Sequence, residues 1–264
     1  MIDYFKDRRR ARLREKPFPP EWLEILEEQF PLYRRLPEVD QKELQGHMQV
    51  FITEKRFEGC GGLEMTEEIF VTIAAHACLL LLHRETDYFP GLYSILVYPY
   101  DVIVKSTTYM EDGVVHEGEG AILGESWSTG SVVLSWQAVQ EGAADPDDGA
   151  NVVFHEFAHQ LDGEDGSVNG APILGKGLRR TERRSRYVSW ARVMKSEYDH
   201  LQFMEAHGRK ALLDYYGATS PAEFFAVATE VFFERPREMQ EEHPELYAEM
   251  KNYFQQDPAA WDRE

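Results

Sequence analysis

At 264 residues, 43% hydrophobic and 12% aromatic, the chain can bury one large core or a core with a helical appendage, and it is too apolar to stay disordered. A formal net charge of −19 argues against nucleic acid as the main partner, because gripping a phosphate backbone relies on Lys and Arg. Only two cysteines, Cys60 and Cys78, no leader-like start, and a longest apolar stretch of residues 73–82 interrupted by His76 predict a cytoplasmic protein with no membrane span.

In chain order, the basic run around Arg9, Arg10, Arg12 and Arg14 reads as a short helix whose charged face pairs with the acidic body. Residues 22–33, 38–55 and 67–84 carry apolar side chains at three- and four-residue spacing, the period of amphipathic helices, with Pro or Gly at the joints. Residues 92–97, 101–105 and 130–136 are short runs rich in β-branched and aromatic residues, and they read as strands. After a loop at 145–149 the pattern returns to helix over 152–161, 179–206, 221–234 and 244–255. This order predicts a mainly helical α+β protein: a helical region, residues 1–90, packed on a catalytic region, residues 91–264, with a small mixed or antiparallel sheet beside the helix at 152–161. The last strand run ends shortly before that helix, either as an ordinary sheet strand or as an edge on which an extended peptide aligns.

Residues 151–162 read Asn-Val-Val-Phe-His-Glu-Phe-Ala-His-Gln-Leu-Asp. On a helix, Phe154, Phe157, Ala158 and Leu161 form an apolar stripe, and His155 and His159, four apart, share a face from which both rings reach one ion. Glu156 stands beside that ion. Zinc acidifies a water in its open position, and an adjacent carboxylate takes the proton and returns it to the leaving amine. Residue frequencies give a chance HExxH about 0.04 times in such a chain, so coincidence is a poor explanation.

A third ligand must come from elsewhere. Glu223 and Glu230, seven apart on one face of a later helix, are both candidates, although Ser220, Pro221 and Glu223 also match a capping box. Asp162 suits the helix end better than the ion, and Tyr215 and Tyr216 offer phenols that could steady an oxyanion. The remaining histidines show no comparable pairing and read as structural or surface residues. Gly59, Gly61 and Gly62 form a turn, without the Lys-Ser/Thr end of a phosphate loop.

Stretches spread over most of the chain carry a resemblance: Phe57 to Glu64, Ala74 to Leu80, Gly124 to Trp127, Val132 to Trp136, the His155 helix, and Pro221 to Val227. Together they resemble the Mlc titration factor A family of bacterial zinc peptidases, whose catalytic core is similar to that of anthrax lethal factor. The resemblance implies a zincin-like fold with one Zn2+ held by His155, His159 and Glu223. It makes Glu156 the base and Tyr216 the hydroxyl donor, with Glu230 behind the ligands. It further implies a cytoplasmic, aminopeptidase-like enzyme acting on small peptides and binding the Mlc glucose repressor. The alternative is a non-catalytic regulator that sequesters a repressor and keeps a structural or vestigial zinc site.

Overall fold

The computed structural model describes residues 2–101, 103–109, 115–121, 130–175 and 177–261. Helices α1 (Ile2–Arg14), α2 (Pro20–Gln29), α3 (Leu32–Arg35) and α4 (Glu38–Glu54) lead into strand β1 (Arg56–Gly59), helix α5 (Glu67–Leu79) and strand β2 (Ser94–Tyr98). Strands β3 (Ile103–Tyr109) and β4 (Val115–Ala121) pair as an antiparallel hairpin, and β5 (Ser131–Ser135) runs directly into α6 (Trp136–Ala144). The rest is helical: α7 (Val152–Asp162), α8 (Arg180–Ala206), α9 (Pro221–Glu234), α10 (Pro236–Glu242) and α11 (Pro244–Phe254). Proline opens α2, α9, α10 and α11, where its missing N–H costs no helical bond.

The α+β class holds, with one difference in strand sense. The sheet has the order β1-β2-β5 and every pair in it is parallel; among the described residues, antiparallel pairing is confined to the β3–β4 hairpin. Connection length explains this. The chain from β1 to β2 includes all of α5, a crossover that returns the strand in the same direction, whereas a tight turn would have reversed it. Boundaries differ for similar local reasons. The helix expected over 22–33 breaks at Pro31, and α5 stops at Leu79, short of Arg84. β1 is only four residues long, and α6 is a short helix capped by the Ser135 hydroxyl; neither has a long enough period to stand out.

The sheet's inner face is set by period-two burial: Ile95 and Val97 on β2, Val132 and Leu134 on β5. Helix α7 lies against this layer, between α5 and α9. Its predicted apolar stripe is fully buried. Phe154 packs between His76 and Phe233 at ring distances of 5.3 and 5.2 Å, and Phe157 meets Phe51 and Phe89 at 5.7 and 4.9 Å. At roughly 1.5–3 kcal/mol per buried phenylalanine, these two rings contribute several kcal/mol to fixing the helix's rotation, which decides where its polar face points.

At the chain's other end, Arg10 is buried and donates to Glu54 at 2.7 Å and Asp87 at 2.5 Å. The expected pairing of the basic run with the body is therefore made by this residue. Among the described residues, no helix is long and apolar enough to cross a membrane.

Candidate metal centre

Helix α7 begins at Asn151, whose side-chain oxygen accepts the backbone N–H groups of Val153 and Phe154, both at 3.1 Å. One turn in, the polar face presents His155 and His159, with ring centroids 4.9 Å apart. Helix α9 packs across it and contributes Glu223. The Ser220 hydroxyl accepts the Glu223 backbone N–H at 3.2 Å, so the capping reading was correct for the main chain and leaves the carboxylate free for other work.

The carboxylate points at the histidines. Glu223 Oε2 lies 2.9 Å from His155 Nε2 and 3.2 Å from His159 Nε2, and the two Nε2 atoms are 3.2 Å apart. Three ligand-type atoms thus form a nearly equilateral triangle. A tetrahedral ion with bonds of 2.0–2.1 Å separates its ligands by about 3.3–3.4 Å, so this triangle fits a zinc-sized cation with little adjustment.

Glu230, the other candidate, lies behind the ring. Its Oε1 is 2.8 Å from His155 Nδ1, and its Oε2 accepts the Asn151 N–H at 2.6 Å. A carboxylate on Nδ1 fixes the tautomer that leaves Nε2 free to bind. Glu234, one turn further, accepts from Asn151 Nδ2 at 2.9 Å and from the Gly149 N–H at 3.1 Å. Asn151 therefore ties the metal-facing helix to both carboxylates while capping it.

Charge accounts for the rest. Burial pushes the Glu223 carboxyl up, but His155 and His159 overcome this and hold it down to about 2. Burial alone would discharge His155, yet hydrogen bonds to Glu223 and Glu230 hold it up to about 10. His159 shifts the opposite way: burial, helped by the charge on His155, lowers its pKa, so an added proton sits on His155.

Asp162 takes no part in this triangle. It is buried at the end of α7, where its two oxygens accept the N–H groups of Gly170 and Ala171 at 2.7 and 2.9 Å, and desolvation raises its pKa to about 6. Gly170 has φ +78°, and a Cβ there would sit 2.3 Å from the Pro221 carbonyl oxygen. Its own carbonyl accepts Trp190 Nε1 at 2.9 Å, so this glycine lets α7, α8 and the start of α9 meet.

Tyr216 lies on a short 3-10 turn, Tyr215–Ala218, where Asp214 Oδ1 accepts its N–H at 2.7 Å. The residue is 49% exposed, its ring lies 5.8 Å from the His155 ring, and partial burial followed by Glu223 and Glu156 raises the phenol's pKa. Tyr215 instead packs against the core. A cleft of 230 Å³ opens here, lined by His155, Glu156, Tyr216 and Glu230 together with Ala150, Val152, Asp214 and Val227.

Sequence reasoning passed over Asn151, Glu234 and Asp214. The first carried a signal, an Asn immediately before an apolar-periodic run, whereas Glu234 was visible only as a carboxylate four residues after Glu230. Of the other histidines, His76 is buried with Nδ1 2.8 Å from the Thr72 carbonyl, and His83 pairs with Asp40 and Glu43 at 3.2 Å. The side chain of His116 and the stretch Gly124 to Trp127 lie outside what the structure describes, apart from the backbone of the former.

The glucose-regulated metallo-peptidase M90 family model matches residues 5–255. An uncharacterized protein of Synechocystis sp. is 38% identical over 97% of this chain and 90% of its own length. Mlc titration factor A of Klebsiella pneumoniae is 31% identical over 89% of this chain and 86% of its own, and that of Yersinia pestis is 31% identical over 91% and 86%. With the triangle of His155, His159 and Glu223 set between α7 and α9, where it could hold a metal ion, and a match running nearly end to end, the chain belongs to the glucose-regulated metallo-peptidase M90 family.

Proposed function

We propose that this protein is a zinc-dependent peptidase in which His155, His159 and Glu223 hold one Zn2+, Glu156 is the general base and acid, and Tyr216 donates a hydrogen bond to the developing oxyanion. The reading is carried by the convergence of His155 Nε2, His159 Nε2 and Glu223 Oε2, with His155 and Glu156 also lining the cleft. When bound, zinc supplies a Lewis acid that polarises the scissile carbonyl and acidifies the attacking water. Glu156 accepts the water's proton at a carboxylate oxygen and delivers it to the amine nitrogen as the C–N bond breaks. Glu230 keeps the His155 ring oriented throughout, through its bond to Nδ1. Tyr216, at the cleft's rim, turns its hydroxyl toward the carbonyl oxygen as charge builds there. The β5 strand, which among the described residues pairs on one side only, offers backbone groups on which an extended substrate can align.

The substrates on this reading are small peptides cleaved from the amino end in the cytoplasm. The decisive experiment replaces Glu156 by Gln in zinc-loaded protein. Peptide cleavage should fall at least a hundredfold while zinc content stays at one per chain; unchanged cleavage in the metal-loaded variant removes the mechanism.

A second role rests on the relatives named Mlc titration factor A, at 31% identity. We infer that the chain also binds a repressor of the Mlc type. A Glu156→Gln protein that still binds that repressor would separate the two functions, and a wild type that binds it but cleaves no peptide would favour the purely regulatory reading.

A further inference from the structure

Residues 179–186 read Arg-Arg-Thr-Glu-Arg-Arg-Ser-Arg, a net +4 in a chain of net −19. They form the start of α8, and from Gly177 to Ser185 every described residue is exposed; the first buried side chain of the helix is Trp190. The helix therefore projects its first turns into solvent on all faces. Among the described residues, Arg179, Arg180, Arg183 and Arg184 have no carboxylate within ion-pair distance, whereas further along the same helix Arg192 pairs with Glu245 at 2.8 Å. An array of unpaired guanidiniums is unusual on so acidic a body. A basic helix face is ordinarily laced with local acids, and here only Glu182 interrupts the run.

Beside this arm lies a pocket of 330 Å³. Leu178 and Arg186 line it from the arm, and Ile173 and Tyr253 supply its apolar wall, with Arg84 over the Tyr253 ring at 4.1 Å. Neither feature lines the cleft at His155, and the turn that carries Tyr216 meets α8 at Tyr198 and Leu201, toward the helix's other end.

We propose that the arm and pocket form a docking site for an acidic peptide segment of a partner protein. The segment lays Asp and Glu side chains along Arg180, Arg183 and Arg184 and places a neighbouring apolar side chain in the pocket. Dimensions fit this occupant: eight helical residues span about 12 Å, the length of roughly four residues of extended chain. A nucleic-acid duplex fits poorly. Its charge continues past so short a patch onto an acidic body, and two carboxylates, Glu85 and Glu164, line the same pocket. A flexible peptide can confine its acids to the arm, and its apolar residue gains contacts that phosphate cannot use.

The test is fluorescence anisotropy of the full chain with the labelled, acetylated peptide Glu-Asp-Glu-Glu-Leu. The comparison probes are its Lys counterpart, its Leu→Ser version, a 20-base-pair duplex and phosphatidylserine vesicles. Wild type should bind the acidic peptide and lose at least tenfold in affinity on Arg180→Glu/Arg183→Glu/Arg184→Glu, with circular dichroism unchanged because these side chains are exposed. Leu178→Ser should cost severalfold for the Leu peptide and nothing for the Ser version, while the triple Arg→Lys variant should keep most of the binding. No measurable binding by wild type, equal binding by the charge-reversed protein, or tighter binding of duplex or vesicle than of peptide would each overturn the proposal.

Discussion

Replacing Asn151 by Ala removes the amide that caps α7 and ties it to α9. The loss of the cap, two N–H bonds at 3.1 Å, costs about 1 kcal/mol within a range of about 0.5–2. The Glu234 carboxyl then loses its 2.9 Å donor in a fully buried setting, and the Gly142 carbonyl loses a weaker one at 3.3 Å, adding about 1–3 kcal/mol. Asn151→Ala should therefore destabilise the metal-free protein by about 3 kcal/mol, read as a shift of the urea midpoint at unchanged slope. Asn151→Ser separates the two contributions, because serine caps about as well as asparagine but lacks the amide that reaches Glu234; it should recover about 1 kcal/mol of the loss. Zinc affinity should change far less than on loss of Glu230 itself, because the backbone N–H of residue 151 still donates to Glu230 and Glu230 still meets His155 Nδ1 in both variants. An Asn151→Ala protein within 0.5 kcal/mol of wild type would refute the claim that this residue joins the two helices.

Glu230→Ala should weaken zinc binding about 10- to 100-fold, measured by competition with a chromophoric chelator, because His155 loses the acceptor on Nδ1; unchanged affinity would deny Glu230 its orienting role. His76, fully buried between Phe30 and Phe154, has its pKa lowered to about 4 by burial. Its folded pKa lies below the unfolded 6.5, so the stabilising contribution is complete above pH 6.5 and is lost as pH falls toward 4, by about 3 kcal/mol. His76→Gln should flatten that part of the stability–pH curve, and a curve of unchanged slope would count against the argument. Arg10→Ala leaves the largely buried Glu54 without its guanidinium, while the half-exposed Asp87 keeps Lys6, and should cost about 1–3 kcal/mol in thermal or urea unfolding; a loss under about 0.5 kcal/mol would show the pairing to be incidental.

What the sequence disclosed follows the range over which each feature is encoded. Helix α7 and its two histidines were legible because everything needed lies within eleven residues: the stripe of Phe154, Phe157 and Leu161 sets the rotation, and rotation fixes where His155 and His159 point. The choice between Glu223 and Glu230 could not be made from spacing, since seven residues place both on one face of α9. It depends on how α9 crosses α7. Strand sense is hidden from the sequence for a related reason. A strand's composition encodes burial, while its direction is decided by the connection before it, and the α5 crossover turns β1 and β2 parallel.

The three acids on α9 make the point most sharply. Glu223, Glu230 and Glu234 occur in a helix otherwise rich in phenylalanine, alanine and valine, and Glu230 and Glu234 are buried in it. Buried carboxylates oppose folding unless something answers them. Each has a different answer: the imidazole nitrogens for Glu223, His155 Nδ1 and a backbone N–H for Glu230, and the Asn151 amide for Glu234, whose carboxyl burial pushes up to about 9 and so keeps neutral at pH 7. A helix serving the core alone would carry apolar residues at all three places. Their presence, graded from the histidine pair back to the cap of α7, fits a helix that gives up packing stability to hold the polar face of its neighbour in one orientation.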